Sequence, residues 1–166
     1  GCNNKSEDQR PPQAWATADS PGAAPCDMDI LLAEVTQLRQ QGYLIIFTFQ
    51  WTEDYALEPS PAQQQDFREA VDAGAVIVSG SHAHRPQTFE FYRGSFIHYG
   101  LGNLFFDQMW SLQIRQEFID RHVFYQGRHI STVLHTALLE DWSRPRPMTD
   151  AERRKFLETI FDASGW

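Results

Sequence analysis

The stretch that decides the fold is residues 73–107, which reads AGAVIVSGSHAHRPQTFEFYRGSFIHYGLGNLFFD. Its apolar run at 75–79 predicts a buried strand, and Gly80 predicts a turn before His82 and His84. In extended backbone, residues i and i+2 point to the same side, so both imidazoles can converge on one ion. We therefore predict a metal-binding corner at the end of this strand. A polar pair in a loop is the alternative interpretation.

Composition and charge narrow the classes of function. With 166 residues, 42% of them hydrophobic and 22% charged, the chain is typical of about one globular domain. Its formal net charge of -8 argues against nucleic-acid binding, which needs a basic patch. The arginines between Arg144 and Arg154 alternate with acidic residues and predict a solvated face. No apolar run approaches the roughly 20 residues that cross a bilayer.

The N-terminal segment, residues 1–26, is rich in proline and small polar residues and predicts irregular structure. It begins without an initiator methionine or a signal peptide, so we expect a fragment or a processed product. Cys2 and Cys26 flank the segment. They fit a disulfide in an oxidising compartment or two unrelated thiols, and Cys2 also fits a lipid anchor. These three interpretations stay open.

The pattern that follows predicts an α/β fold. A helix that ends at Gly42 leads into an apolar strand at 43–49, which is expected to be buried on both faces. A second helix begins at Ser60, which caps it, and Gln63 fits the reciprocal position of a capping box. The strand at 75–79 comes next. Helices alternating with buried strands are typical of helices packed against a sheet.

The second half of the chain changes character. Hairpins are predicted at 88–99 and 122–139, with a short helix at 110–118 between them. Two prolines then break the chain, and Thr149 caps a terminal amphipathic helix. The two prolines are Pro145 and Pro147. Three aromatic residues are assigned to the core, namely Phe105, Phe106 and Trp110.

Four polar side chains follow the two predicted strands. If the strands are parallel neighbours, their carboxyl ends meet at one sheet edge, where open α/β sheets bind ligands. The four residues are Gln50, Asp54, His82 and His84. Imidazole and carboxylate suit zinc, manganese or iron, and a pair of such ions activates water for phosphoester hydrolysis. The sequence therefore predicts a metal-dependent hydrolase site.

The other histidines are predicted to have structural roles. His98, on an apolar strand, is expected to be a hydrogen-bonded core or edge residue. His122, His129 and His135 are scattered along strands and are not expected to bind metal.

Several motifs in this order resemble one family. The runs are QWTEDY at 50–55, Pro61 and Gln64, DAGA at 72–75, GSHAHRPQ at 80–87 and YGLGNLFFD at 99–107. Over about residues 43–107 they are similar to the CapA-type capsule synthesis proteins. That family is linked to poly-γ-glutamate synthesis and belongs to the calcineurin-like metallophosphoesterase superfamily.

The resemblance implies an α-β-β-α sandwich, here with a mixed sheet, C-terminal hairpins and a terminal helix. It also implies two divalent metal ions (Mn, Zn or Fe) at the sheet edge. Members show His-Trp-Gly-x-Glu-Tyr at 50–55 and Gly-His-His-Pro-His at 80–84. On that pattern His82 and His84 are metal ligands, Asp54 is a supporting or substrate-orienting carboxylate, and Asn103 shapes the neighbouring loop. Gln50 stands where the family has a metal-binding histidine.

The resemblance further implies that residues 27–166 form the C-terminal portion of a CapA-like domain. The family's N-terminal metal motifs have no counterpart before Leu44, so this chain alone is expected to be inactive. The complete protein would be a metal-dependent hydrolase acting on a phosphorylated or polyglutamate-related substrate, outside the cytoplasm or at a membrane synthesis complex. The alternative is a non-catalytic binding or assembly subunit that keeps the fold.

Overall fold

The computed structural model describes residues 2–3, 15–142 and 144–166, with side chains described from residue 15 onward. Its elements alternate between helix and strand in the first half, as predicted. In chain order they are β1 (Cys2–Asn3), α1 (Met28–Gln40), β2 (Ile45–Asp54), α2 (Pro61–Asp72), β3 (Ala75–Ala83), β4 (Phe89–Tyr92), β5 (Ser95–His98), α3 (Leu112–Arg115), β6 (Gln116–Tyr125), β7 (Arg128–Glu140), β8 (Arg144–Pro147) and α4 (Asp150–Ala163).

The larger sheet is mixed, as predicted for this α/β fold. Its strand order is β1-β2-β3-β5-β4, with β4 antiparallel to β5 and the other pairs parallel. β2 and β3 are therefore parallel neighbours, which confirms the premise that their carboxyl ends meet. Both strands run further than their apolar cores at 43–49 and 75–79 indicated. The strands continue through polar residues because the backbone pairing of β2 and β3 extends beyond the apolar run. Amino-acid composition carries no information about this pairing.

Helices α1 and α2 cover one face of this sheet. The ring of Phe67 in α2 stacks on Phe49 in β2 with centroids 4.5 Å apart, at the centre of the first hydrophobic core. Ser60 caps α2 by accepting a hydrogen bond from the Gln63 backbone N–H at 3.1 Å. The other half of the predicted capping box is wrong. The Gln63 side chain is buried and donates instead to Gln87 Oε1 and to the Tyr99 carbonyl.

A second core joins the opposite face to the smaller sheet and α4. The smaller sheet is antiparallel, in the order β6-β7-β8. Phe118 of β6 stacks on Phe156 of α4 at 4.6 Å, and Phe96 of β5 lies in the same cluster. Thr149 and Glu152 form the predicted capping box at the start of α4. Both predicted hairpins and the terminal helix are therefore confirmed.

His98 links the two sheets. Its ring is fully buried, and its Nδ1 lies 2.7 Å from Oδ2 of Asp120, whose side chain is also buried. The prediction of a hydrogen-bonded core histidine is confirmed.

Two segment predictions in the second half are wrong. The helix predicted at 110–118 is only one turn, Leu112–Arg115, because β7 offers a pairing edge from which β6 begins at Gln116. Pro145 and Pro147 do not break the chain but lie in β8. In the described residues β8 pairs only with β7, and an edge strand tolerates proline because one row of its N–H groups is unpaired.

Three aromatic residues assigned to the core are exposed. The exposed fractions are 69% for Phe105, 41% for Phe106 and 65% for Trp110. They lie in an irregular segment next to the predicted site, and the Phe106 ring centroid is 5.3 Å from that of His84. Hydrophobicity alone does not distinguish a core aromatic from one that borders a site.

The N-terminal segment departs from the expected irregular structure at Cys2–Asn3, which pairs with Phe49 and Gln50 as β1. A two-residue strand has no periodicity to detect. Residues 4–14 and the Cys2 side chain lie outside the described residues, so the predicted cysteine pair is followed only at Cys26, which is disulfide-bonded. Among the described helices, none has the length and hydropathy to span a bilayer.

Candidate functional site

The site lies where β2 and β3 end side by side. Gly80 does not form the predicted turn but is part of β3, where a Cβ would lie 1.9 Å from the Tyr99 carbonyl oxygen. The left-handed backbone falls instead at His82, with a φ of 78°. Histidine is one of the residues found in that region more often than most. Glycine thus permits close strand packing, and the local change of direction occurs at the histidine itself.

His84 is held by an amide oxygen. Its Nδ1 lies 2.8 Å from Oδ1 of Asn103, an atom that only accepts, so Nδ1 carries the proton. With its proton on Nδ1, the tautomer that binds metal keeps a lone pair on Nε2, and Nε2 is 3.6 Å from Oε1 of Glu53. The ring also stacks against Tyr55 at 5.2 Å. This is the anchoring typical of metal-ligating histidines, in which the second nitrogen is fixed by a hydrogen bond.

His82 is anchored in the same way. Its Nδ1 donates to the Trp51 carbonyl oxygen at 2.8 Å, which again leaves the lone pair on Nε2. The ring centroids of His82 and His84 are 5.6 Å apart, with planes inclined by 72°. The structure thus brings together the two residues that the sequence predicts as ligands, and gives both the same tautomer.

A ring of hydrogen bonds supports His84. From Asn103, Nδ2 donates to Gln108 Oε1 at 3.1 Å, and Gln108 Nε2 donates to the Tyr55 hydroxyl at 3.3 Å. The Tyr55 hydroxyl donates to Glu53 Oε1 at 2.7 Å. The ring is closed by the 3.6 Å contact between the same Glu53 oxygen and Nε2 of His84. Burial and the bond to Glu53 raise the pKa of Tyr55, so this hydroxyl stays a proton donor.

Asp54 lies at the same edge, but its carboxylate is used by the backbone. Oδ1 accepts from the N–H groups of Tyr55 at 2.7 Å and Ala56 at 2.9 Å, and Oδ2 accepts from Gln87 Nε2 at 3.2 Å. The Asp54 carbonyl accepts from the His84 N–H at 2.9 Å. In this arrangement Asp54 holds the end of β2 against the histidine segment. Gln87 in turn connects it to Gln63 in α2.

Gln50 and Ser81 form a direct pair across the two strands. They are register partners, and the Ser81 hydroxyl bonds Gln50 Oε1 as well as the Phe49 carbonyl. The position expected to carry a histidine is therefore occupied by a carboxamide whose oxygen already accepts a hydrogen bond.

Sequence reasoning missed four contributors to this site. They are Glu53, Tyr55, Gln87 and Gln108. Glu53 and Tyr55 stand within a quoted motif at the end of β2, and their spacing of two residues is a signal that could have assigned them. Gln87 and Gln108 give no periodic or spacing signal, because an amide that bridges loops has no preferred sequence context.

The side chains at this site are of the type that binds a divalent metal ion. Two imidazoles that are anchored through Nδ1 and present Nε2 to a ligand suit zinc, manganese or iron. Within the part of the chain that the structure describes, however, no group of three or more His, Cys, Asp or Glu side chains is placed to hold a metal. The described residues thus offer an incomplete ligand set, since catalytic zinc usually has three protein ligands.

Comparison with known proteins gives a consistent result. The family described as Bacterial capsule synthesis protein PGA_cap matches residues 2–108. The capsule biosynthesis protein CapA of Bacillus anthracis is 32% identical over 142 residues, covering 83% of this chain and 34% of its own length. The PGA biosynthesis protein CapA of Bacillus subtilis is 30% identical over 112 residues, with 68% and 30% covered.

A probable polyglutamine synthesis accessory protein of Mycobacterium tuberculosis is 29% identical over 101 residues, covering 56% of this chain and 27% of its own length. The chain therefore spans about a third of the length of the curated relatives it matches. The family match extends over more than half of the chain and includes every residue of the hydrogen-bonded site. The chain belongs to the bacterial capsule synthesis protein PGA_cap family, the CapA-type proteins.

Proposed function

We propose that this chain carries part of a metal-dependent, phosphoesterase-type hydrolase site that acts in capsule or poly-γ-glutamate synthesis. The observation that supports it is the matched pair of imidazoles. Both His82 and His84 donate through Nδ1 to fixed oxygen acceptors and keep the Nε2 lone pair for a ligand. Two such rings on one sheet edge are the start of a metal site.

The chain's own residues have distinct tasks in this proposal. His82 and His84 would hold the ion, which when bound polarises a phosphoryl oxygen and lowers the pKa of water. Asn103 fixes the His84 tautomer. Tyr55 keeps the Glu53 carboxylate beside His84 through its 2.7 Å hydrogen bond. Since the described residues supply only two imidazole ligands, we expect weak metal binding by this chain.

We propose a phosphorylated or polyglutamate-related substrate and a location outside the cytoplasm or at a membrane synthesis complex. The support is indirect. The names of the relatives refer to capsule and PGA biosynthesis, and the disulfide bond of Cys26 is typical of an oxidising compartment. Thiol titration of protein purified without reductant tests the disulfide bond and with it the oxidising compartment. A free Cys26 thiol would contradict both.

A second candidate function is a non-catalytic binding or assembly subunit. The bond between Gln50 and Ser81 favours it, because these side chains satisfy each other and neither is a good ligand for a borderline-soft ion. In that case the sheet edge would contribute its shape and its hydrogen bonds to binding or assembly, and no metal ion would take part.

Metal binding and turnover separate the two candidates. We would titrate the chain with Mn²⁺ and Zn²⁺ by calorimetry, measure metal content by mass spectrometry, and assay p-nitrophenyl phosphate hydrolysis. His82→Ala and His84→Ala are each expected to abolish measurable metal binding. His135→Ala is the matched control, because His135 is an exposed histidine on β7, and it should bind metal like the unmodified chain.

The outcomes are distinct. Metal binding that depends on both site histidines supports the metal centre, and metal-dependent hydrolysis supports the enzyme. Binding without hydrolysis, even when the assay is repeated on a protein as long as the relatives, favours the non-catalytic subunit. Metal binding that survives both site variants contradicts the proposed centre.

A further inference from the structure

A second cleft lies away from the histidine site, between β4, β7 and α4. Its volume is about 440 Å³, within the roughly 300–1,000 Å³ range of small-molecule pockets. Half of the residues that line it are aromatic. The Phe89 and Phe161 rings meet edge to face at 5.0 Å, and those of Phe91 and Trp166 at 6.0 Å. None of the residues that line it belongs to the hydrogen-bonded ring around His84.

The rim of this cleft exposes apolar surface. Phe91 and Trp166 are more than half exposed although each contacts another aromatic ring. Covering such surface removes apolar area from water, which is favourable. A ligand with an apolar body would therefore gain free energy by filling the cleft.

Arg153 is the one charged residue that lines the cleft in the described part of the chain. It is half-buried, and its Nη1 donates to the Leu134 carbonyl at 2.7 Å. Arg68 and Arg146 pair with carboxylates, whereas among the described residues Arg153 has no carboxylate partner. A guanidinium carries five N–H donors, and the bond to the Leu134 carbonyl is the hydrogen bond that its side chain makes to the described residues. Arg153 also borders the neighbouring cleft beside β8.

The other polar group in the cleft is already satisfied. The Thr132 hydroxyl bonds His122 Nδ1 at 2.8 Å and His129 Nε2 at 3.0 Å. An anionic head group would therefore be held by Arg153 rather than by Thr132.

We propose that the cleft binds a single-chain carboxylate amphiphile, a molecule of the fatty-acid class. Its apolar chain would lie on the aromatic wall, and its carboxylate would accept two parallel hydrogen bonds from Arg153, the planar geometry that guanidinium and carboxylate share. The charge balance favours a monoanion. One guanidinium neutralises one carboxylate, whereas a phosphate dianion would leave a net charge beside apolar rings.

The test is calorimetric titration of the chain with decanoate below its micelle concentration, with decyltrimethylammonium as the probe of opposite charge. Decanoate should bind, and the cationic probe should bind at least tenfold more weakly. Arg153→Gln should weaken decanoate binding about tenfold or more, since charge-assisted hydrogen bonds are lost. Arg153→Lys keeps the charge and should lose less affinity.

Matched controls separate the proposal from general charge and hydrophobic effects. Arg154→Gln makes the same charge change at the exposed neighbouring position and should leave affinity within twofold. Phe91→Ala should weaken binding at least threefold, with circular dichroism confirming the fold. The proposal fails if 1 mM decanoate does not bind, if both probes bind equally, or if Arg154→Gln matches Arg153→Gln. Binding only to phosphatidylglycerol vesicles would also overturn it.

Discussion

Asn103 Oδ1 and His84 Nδ1 are joined by a 2.8 Å hydrogen bond between an irregular segment and the end of β3. Asn103 is almost fully buried, so its carboxamide has little freedom to turn away. The bond sets which nitrogen of His84 is protonated and, through Gln108 and Tyr55, positions the carboxylate that faces the other nitrogen. The loop segment thus determines the chemistry of the residue that directly follows β3.

Replacing Asn103 with leucine should weaken metal binding. Leucine has a similar size but no acceptor, so the His84 ring loses its fixed tautomer and orientation. Removal of such supporting hydrogen bonds typically costs 10–100-fold in metal affinity. Calorimetry with Mn²⁺ and Zn²⁺ measures the effect. Asn103→Asp is the matched variant and should keep most of the affinity, because a carboxylate still accepts from Nδ1. Equal affinity of the leucine variant and the unmodified chain would argue against this role.

A histidine at position 50 should strengthen metal binding. Gln50 is the register partner of Ser81, directly before His82, so Gln50→His adds an imidazole at the sheet edge that already carries two. We expect at least a tenfold gain in Zn²⁺ affinity, because a third ligand brings the set to the usual catalytic number.

Thr48→His is the control for that gain. It adds an imidazole two residues earlier on the same strand, opposite Ser79, and should leave affinity unchanged. If both variants bind Zn²⁺ equally tightly, any added histidine on β2 explains the gain in affinity. Position 50 would then not be placed to complete a site with His82 and His84.

The parts of the fold that could be predicted are those with a repeating pattern. β3 is buried or half-buried on both faces along its apolar run, and the caps at Ser60 and Thr149 use a known residue chemistry, so these elements are predictable. The expectation that β2 is buried on both faces is wrong, because its side chains alternate between buried and more exposed positions and Ile46 is 49% exposed. The ends of the strands are not predictable from the sequence, because β2 continues through polar residues that are ordered by pairing with β3. The exposed Phe105 and Trp110 were assigned to the core because composition does not report depth.

The candidate site was predictable only in part for a related reason. His82 and His84 share a motif and a strand end, so their proximity follows from topology. Gln108 reaches Asn103 and Tyr55 through loop geometry, and loop geometry has no period in the sequence. The free Nε2 lone pairs could not be predicted either, since the tautomer depends on acceptors that lie 19 and 31 residues away along the chain.

Replacing Gly80 with alanine should destabilise the fold. The added Cβ would lie 1.9 Å from the backbone oxygen of Tyr99. Tyr99 directly follows β5 and its oxygen accepts a hydrogen bond from Gln63 Nε2, so this backbone atom cannot move aside as a flexible side chain can. We expect a loss of about 3 kcal/mol in the free energy of unfolding, at the upper end for overpacking, measured by urea denaturation. Gly127→Ala is the control. It has a φ of 73° and no atom within 4 Å, so it should lose only about 1 kcal/mol from the left-handed conformation.

Glu117 should make stability fall as pH rises. Its carboxyl is fully buried and, among the described residues, neither oxygen has a hydrogen-bond partner. Burial raises the pKa of Glu117 from 4.5 to about 7. Between these values the unfolded chain has lost the proton that the folded chain keeps, so the free energy of unfolding decreases with increasing pH. At 1.36 kcal/mol per pH unit the decrease approaches roughly 3 kcal/mol by neutral pH.

Glu117→Gln tests this by replacing the carboxyl with a neutral group of the same shape. The variant should match the unmodified chain near pH 5 and be more stable above pH 7, with thermal unfolding followed from pH 5 to pH 8. Glu158→Gln, on the exposed side of α4, should leave the pH dependence as it is. A Glu117→Gln curve parallel to that of the unmodified chain would mean that the buried carboxyl is charged in the folded state, and that a partner beyond the described residues compensates for its burial.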